Sequence, residues 1–340
     1  MTHTAVIGAG SWGTAIAWLL DGKGGDVRLW AREPEIAEGI NRSHHNPVYL
    51  SDVEMSERVH ASASIAEVLD GAGSIVMVTP SVGVRSTAEA MAPYVDSETP
   101  VVILSKGIEA KTSLLMTDIL GEVLGNAARI AALSGPNHAE EVSRAVPSAT
   151  VVASTSPEMA IFFQELFATP FFRVYTNEDV MGVELCGAGK NIIAIACGMC
   201  DGLGYGDNSK ASLMTRGLAE LTRLGTAVGA KSATYSGLAG MGDLIVTCTS
   251  RHSRNRGLGE LLARGGSLKE FQERTKMVAE GAVACTGIYE LANRQGVEVP
   301  ITELVYQVLY KDMAPELGVS ILMNRPQTSE DEQRTLKKKG

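Results

Sequence analysis

Val6-Ile7-Gly8-Ala9-Gly10-Ser11-Trp12-Gly13 decides how the rest of the chain is read. Residues 4–7 make a short apolar strand. Gly8, Gly10 and Gly13 then fall at the spacing G-x-G-x-x-G, and over residues 12–20 the apolar side chains recur at helical intervals. A strand that turns tightly into a helix through such glycines can receive a dinucleotide pyrophosphate. The first glycine permits the turn, the second lets backbone approach the phosphates, and the third lets the helix lie close on the strand. Unpaired N–H groups and the dipole at the helix start favour the negative charge. The spacing alone would also describe a glycine-rich loop that binds nothing. Its place between a strand and a helix selects dinucleotide binding.

Outward from that turn, strands and helices alternate. Residues 26–30, 59–62, 74–79, 100–104, 129–133, 150–153 and 171–175 read as strands. Between them lie helices over 84–91 and 112–124, and helix starts at Ser64, Ala139 and Ser156-Pro157. Residues 41–55 read as a polar surface loop. The alternation predicts a doubly wound, mainly parallel sheet whose ligands sit beyond the carboxyl ends of the strands. After about Val180 the texture becomes helical. The expected division is a dinucleotide-binding domain over 1–182, a helical substrate domain over 183–325 and a loose tail over 326–340.

A chain of 340 residues is too long for one ordinary core. The net charge of −9 argues against nucleic acid and acidic membrane surfaces. The longest apolar run, 192–199, is too short to span a bilayer, and no secretory signal precedes the first strand, so no membrane insertion and a cytoplasmic location are expected. Five scattered cysteines form no disulfide framework. Cys197-x-x-Cys200 lies in an apolar helix and reads as buried small side chains rather than a metal or redox pair. No metal site is expected.

Several residues stand out as candidates for chemistry. Ala31-Arg32 ends the second strand, where an acid would repel a 2′-phosphate; Arg32 can pair with such a phosphate, stack on adenine, or be solvated. Lys106 ends another strand, to meet an anion or to serve as a loop lysine. His138 reads as a surface or supporting histidine. Residues 183–199 are apolar or small on nearly every face, so the helix is central. Lys190 interrupts it. A lysine is rarely buried unpaired, and burial lowers its pKa toward the range useful for proton transfer; the alternative is a side chain that snorkels to the surface. Asp243 opens an apolar segment that can bury its carboxylate. Three arginines follow in Ser250-Arg251-His252-Ser253-Arg254-Asn255-Arg256, a stretch read as a loop that binds phosphate or is solvated.

Taken together, Gly8-Ala9-Gly10-Ser11-Trp12-Gly13-Thr14, Leu104-Ser105-Lys106-Gly107, Ser134-Gly135-Pro136, Gly187-Ala188-Gly189-Lys190-Asn191, Gly242-Asp243-Leu244 and Ser253-Arg254-Asn255 resemble the NAD(P)-dependent glycerol-3-phosphate dehydrogenases of the bacterial biosynthetic type. The match runs from Val6 to about Leu322. The resemblance implies an N-terminal Rossmann-like α/β domain and a C-terminal all-helical domain. It also implies reduction of dihydroxyacetone phosphate, a small phosphorylated triose, to sn-glycerol 3-phosphate for phospholipid synthesis, with NAD(H) or NADP(H). Carried over by position, Gly8, Gly10, Ser11, Trp12, Gly13, Arg32, Lys106, Ala139, Arg254 and Glu280 would meet the cofactor. Lys106, Gly135, Asn137, Lys190, Asp243, Ser253, Arg254 and Asn255 would line the substrate, with Lys190 and Asp243 catalytic. A homodimer is expected. The chain departs from the family in having Asn137 where Ser or Thr is usual, and Gly189, expected to loosen packing beside Lys190, where a larger apolar residue is usual. A nonenzymatic dinucleotide sensor and another hydroxyacid-dehydrogenase relative are the alternatives.

Overall fold

The computed structural model describes residues 2–275, 278–327 and 329–330. The expected tail over 326–340 therefore lies mostly outside the described residues. The chain divides into two compact units. One holds the residues up to Ser105 together with Met116–Val180; the other holds Lys106–Leu115 together with the residues from Met181 onward.

The first unit is built on β1 (His3–Ile7), α1 (Ser11–Gly22), β2 (Val27–Trp30), α2 (Pro34–Ser43), β3 (Val59–Ser62), α3 (Ile65–Leu69), β4 (Ala72–Met77), α4 (Val84–Met91), β5 (Val101–Ile103), α5 (Met116–Leu124), β6 (Ile130–Ser134), α6 (Ala139–Val142), β7 (Ser148–Ala153), α7 (Pro157–Phe167) and β8 (Phe172–Asn177). The eight strands form one sheet in the order β3-β2-β1-β4-β5-β6-β7-β8. All neighbours are parallel except β6 and β7. The strand order reverses between β1 and β4, the switch point where doubly wound sheets hold ligands. Continuous apolar runs such as Ile75-Val76-Met77 and Val101-Val102-Ile103 are buried because helices cover both faces.

The glycine turn has the geometry its spacing implies. Gly8 has φ +122°, and a Cβ there would lie 3.0 Å from the carbonyl oxygen of Val78. A Cβ on Gly13 would overlap the Gly8 carbonyl. Both positions are therefore confined to glycine, one by dihedral and one by close approach of α1 to β1. Residues 41–55 are more ordered than a polar surface loop: Asn46, Val53 and Met55 are buried, and Met55 N–H donates to His44 O at 2.9 Å. The helix expected over 112–124 begins only at Met116. Ser113 has φ +58°, and Ile108 bridges Leu115, so residues 106–115 fold back as a short hairpin instead.

The second unit is helical: α8 (Val180–Gly202), α9 (Asp207–Ala227), α10 (Ser232–Tyr235), α11 (Asp243–Thr249), α12 (Arg254–Ala263), α13 (Leu268–Thr275), α14 (Glu280–Gln295), α15 (Pro300–Tyr310) and α16 (Pro315–Met323). At 23 residues α8 is longer than its apolar run suggested, and by length and composition it could cross a membrane; 89% of its most apolar window is instead buried inside the protein. It is the core helix of this unit. Small residues let its neighbours approach closely. A Cβ on Gly259 of α12 would overlap Ile195 O, and one on Gly198 would overlap Arg256 O. Gly189 does not loosen the packing: Leu221 of α9 fills the space, and a Cβ there would lie 2.8 Å from Leu221 Cδ1. All five cysteines are buried thiols.

The α8–α12 crossing predicts a contrast between two glycines of one helix. Gly259→Ala should lose about 1–3 kcal/mol to overpacking. Gly257→Ala, with nothing within 4 Å of its added Cβ, should be neutral or slightly stabilising. Denaturant unfolding of the two variants checks this; equal loss at both sites would contradict the close-contact account.

Candidate active site

Lys190 lies midway along α8 and is only 6% exposed. It does not snorkel. Its ammonium donates to Asp243 Oδ1 and, at 2.8 Å, to Thr247 Oγ1. Asp243 is the first residue of α11 and is 1% exposed. Its second oxygen, Oδ2, accepts from Lys106 Nζ at 2.7 Å. Thr247 sits one turn further along α11 and donates its hydroxyl to Asp243 O at 2.6 Å. Two cations thus share one buried carboxylate, and a hydroxyl tied to the backbone fixes the angle of one of them.

The electrostatics follow from this arrangement. Burial is the largest influence on Lys190 and disfavours the ammonium; the Asp243 carboxylate opposes it, and the Lys106 charge reinforces it. The result is a pKa lowered to about 8. For Asp243, burial pushes the pKa up, but the two ammonium groups outweigh it and hold the carboxyl below its ordinary value. An ammonium has three donors. Lys190 commits two of them to Asp243 and Thr247, leaving one N–H for a further acceptor.

The arginine-bearing stretch is a helix start, not a loop. Ser253 caps α12, its hydroxyl accepting from Arg256 N at 3.3 Å, so that oxygen already serves the backbone. Arg254 is exposed in the first turn. Asn255 is buried, and its Oδ1 accepts from Gly281 N at 3.0 Å, which leaves the amide N–H groups to face another partner. Arg256 is not solvated: it pairs with Asp201 at 2.6 Å and Glu260 at 2.9 Å. Glu280 opens α14, directly before Gly281. Lys106, Lys190, Asp243, Ser253, Arg254, Asn255 and Glu280 all belong to the second unit.

The remaining candidates belong to the first unit. Ser11 and Trp12 open α1, whose N-terminus has no side-chain cap. A Cβ on Gly10 would meet nothing within 4 Å, so that side of the turn is open. Arg32 is exposed and pairs with the adjacent Glu33 at 2.7 Å. Ala139 is buried at the start of α6. Gly135 and Asn137 lie in the turn after β6. Asn137 donates to Ala149 O at 3.0 Å, so what it has left is the acceptor Oδ1. The glycines, the uncapped helix start and the open face of Gly10 fit the pyrophosphate of a dinucleotide. Among the described residues no group of side chains could hold a metal ion.

Comparison with known proteins shows the family. The family model for the N-terminus of NAD-dependent glycerol-3-phosphate dehydrogenase matches residues 3–160, and the model for its C-terminus matches residues 179–320. The chain belongs to this family. It is therefore an NAD(P)-dependent oxidoreductase acting on a CH–OH group, and the sensor alternative falls. A glycerol-3-phosphate dehydrogenase (NAD(P)+) of Moorella thermoacetica is 49% identical over 328 residues, covering 96% of this chain and 97% of the relative. That of Clostridium perfringens is 44% identical, covering 97% and 100%. The crystal structure of the Coxiella burnetii glycerol-3-phosphate dehydrogenase superposes with a TM-score of 0.91 at 38% identity, covering 95% of this chain and 99% of that one.

Thr247 is the residue that sequence reading missed. Its only signal is the spacing of one helical turn from Asp243, which says nothing until residues 243–249 are known to be a helix. The depressed pKa of Lys190 carries a stability consequence. Between about 8 and 10.5 the unfolded chain holds the lysine proton that the folded chain has lost, so stability rises with pH across that window. The gain should be about 2 kcal/mol between roughly pH 7.5 and pH 10. It should vanish in Lys190→Met, measured by denaturant unfolding at the two pH values against the parent. An identical rise in the variant would mean that other groups produce it.

Proposed function

We propose that Lys190 is the general acid when the chain reduces dihydroxyacetone phosphate to sn-glycerol 3-phosphate, and the general base in the reverse oxidation. The observation that carries this is the buried ammonium with one uncommitted N–H and a pKa near neutrality. NADH or NADPH, when bound, supplies the hydride. Lys190 then gives its free proton to the oxygen of the former carbonyl, which would otherwise be left as an alkoxide in an apolar interior. Asp243 keeps the ammonium charged enough to act and fixes its direction. Lys106, sharing the same carboxylate, adds a second positive charge that suits an anionic triose phosphate.

For the phosphate we propose Arg254 and Asn255, with the N-terminus of α12 behind them. A guanidinium offers two parallel bonds, the amide of Asn255 is oriented by its bond from Gly281, and the helix dipole favours the anion. Gly135 and the Asn137 acceptor are assigned to the same substrate, and Ser253 acts there as the helix cap. For the dinucleotide we propose Gly8, Gly10, Ser11, Trp12, Gly13, Arg32 and Ala139, with Lys106, Arg254 and Glu280 as the family resemblance implies. The product would enter phospholipid synthesis in the cytoplasm. A homodimer is the proposed assembly, in keeping with the exposed apolar side chains of Leu317, Ile321 and Met323 on α16.

Lys190→Ala should lower kcat for reduction by about a hundredfold or more. In the parent enzyme, reduction should decline as pH rises through about 8, because the ammonium is lost, and oxidation should increase over the same range. Steady-state assays in both directions test both points; near-normal turnover in a folded variant would overturn the role of Lys190. Arg32→Ala should weaken NADPH more than NADH, since the second strand ends in Ala31-Arg32 rather than in an acid and, among the described residues, the guanidinium is held only by an exposed pair with Glu33 that a 2′-phosphate can replace. Equal losses would assign Arg32 to adenine stacking or to the loop alone.

A further inference from the structure

Asn46 takes no part in the site assigned above, yet it is completely buried beside the glycine turn. All its polar capacity is used. Nδ2 donates to Ala9 O and to Thr14 Oγ1, both at 2.9 Å. Oδ1 accepts from Val48 N at 3.0 Å and from Tyr49 N at 2.9 Å. The orientation of the amide is fixed by its partners, because two N–H donors can face only the oxygen and a carbonyl can face only the nitrogen. The side chain therefore joins three things: the carbonyl between the first two glycines, the first turn of α1 and the segment that follows α2. Pro47, the next residue, packs on Gly39 of α2, where a Cβ would lie 2.7 Å from its Cγ. The segment is thus held from both ends.

The consequence for binding comes from the planarity of the peptide. In a trans peptide the C=O and the following N–H point in opposite directions. With Ala9 O drawn inward to Asn46, the N–H of Gly10 is turned outward. The turn has open space beside it there, since a Cβ on Gly10 would meet nothing within 4 Å. Among the described residues Gly10 N–H has no protein acceptor. The start of α1, which follows directly, has no side-chain cap either. We infer that Asn46 is a positioning residue for the dinucleotide: it fixes the Ala9–Gly10 peptide so that the Gly10 N–H is already aimed at the pyrophosphate before the cofactor arrives. Without that hold the peptide could rotate, and binding would have to pay for setting it. This inference rests on the reading of Gly8–Gly13 as the dinucleotide cradle.

Two variants test it in the full-length protein. Asn46→Leu removes every bond while keeping the number and branching of the side-chain heavy atoms. Asn46→Asp keeps the acceptors for Val48 and Tyr49 but sets a carboxylate oxygen against Ala9 O. Binding of NADH, NADPH and ADP-ribose is followed by fluorescence quenching, and kinetics by initial rates. Both variants should raise Kd for all three ligands by about tenfold or more. The KM for dihydroxyacetone phosphate should be unmoved, and kcat at saturating cofactor should fall by no more than about threefold. Acidification from about pH 8 to about pH 5.5 should restore cofactor affinity in Asn46→Asp, whose protonated carboxyl can donate to Ala9 O, but not in the parent or in Asn46→Leu. A purely structural role would lower thermal stability and kcat together and would show no recovery on acidification. Unchanged Kd in both variants, or loss without recovery in Asn46→Asp, would overturn the inference. A parent enzyme that binds neither dinucleotide would instead overturn the reading of the cradle itself.

Discussion

A carboxylate taken out of water must find compensation of several kcal/mol inside the protein, and Asp243 finds it in two ammonium groups, one on each oxygen. The second unit is arranged around that requirement. α8 can carry a lysine at its buried midpoint only because α11 begins with an acid at that place. α11 can begin with a buried acid only because Lys190 and Lys106 neutralise it. Removing Asp243 leaves a buried ammonium uncompensated, a loss of roughly 3–5 kcal/mol, whereas removing one lysine leaves the carboxylate paired with the other. The same arrangement makes the proton mobile. Burial favours the neutral amine, the carboxylate favours the ammonium, and Lys106 tips the balance back, so that the pKa settles near 8 instead of near 10.5. Stability and reactivity here are one electrostatic compromise.

A second buried carboxylate shows why the partner matters more than the burial. Glu220 on α9 is 0% exposed, and it accepts from Ile301 N, Thr302 N and Thr302 Oγ1 at 2.8, 2.9 and 2.6 Å. It caps the first turn of α15. Its partners are dipoles, and burial raises its pKa above the ordinary value. Asp243 has full positive charges as partners, and its pKa falls. Fixed dipoles hold a helix end in place but do not store a proton for exchange, whereas the Lys–Asp–Lys cluster does. Both acids are buried and paired, and only the one with cationic partners is suited to acid–base chemistry.

How much of this was legible in the sequence depended on the range of the interaction. The turn at Gly8–Gly13, the switch of texture near Val180 and the burial of α8 are written in short windows of spacing and composition, and they were readable. Lys190 and Asp243 stood out because a charge in an apolar setting contradicts its surroundings. Their contact, 53 residues apart in the chain, was not readable, nor was the arrival of Lys106 from 137 residues away on the same carboxylate. Ser253 to Arg256 was misread because capping by serine resembles a polar loop until the following helix is seen to begin at Arg254. The segment after α2 was misread for a similar reason. Its polar composition suits a solvated loop, but Asn46 satisfies its polarity against backbone rather than water.

Glycine gives the clearest case of a local letter with a distant meaning. Gly198 and Gly259 look like weak points of their helices, since each lacks a side chain and adds freedom to the unfolded chain. In the folded protein they are where α8 and α12 touch backbone to backbone. That contact sets the start of α12, and with it Arg254 and Asn255, at a fixed distance along α8 from Lys190. The entropic loss at two glycines is offset by a close contact between rigid helices, which holds Arg254 and Asn255 steady with respect to Lys190. Side chains at these two positions would push the helices apart and move Arg254 and Asn255 away from the lysine. The small residues of α8 therefore belong to the same argument as its one buried charge: the first hold the neighbouring helices in place, and the second acts within the space they define.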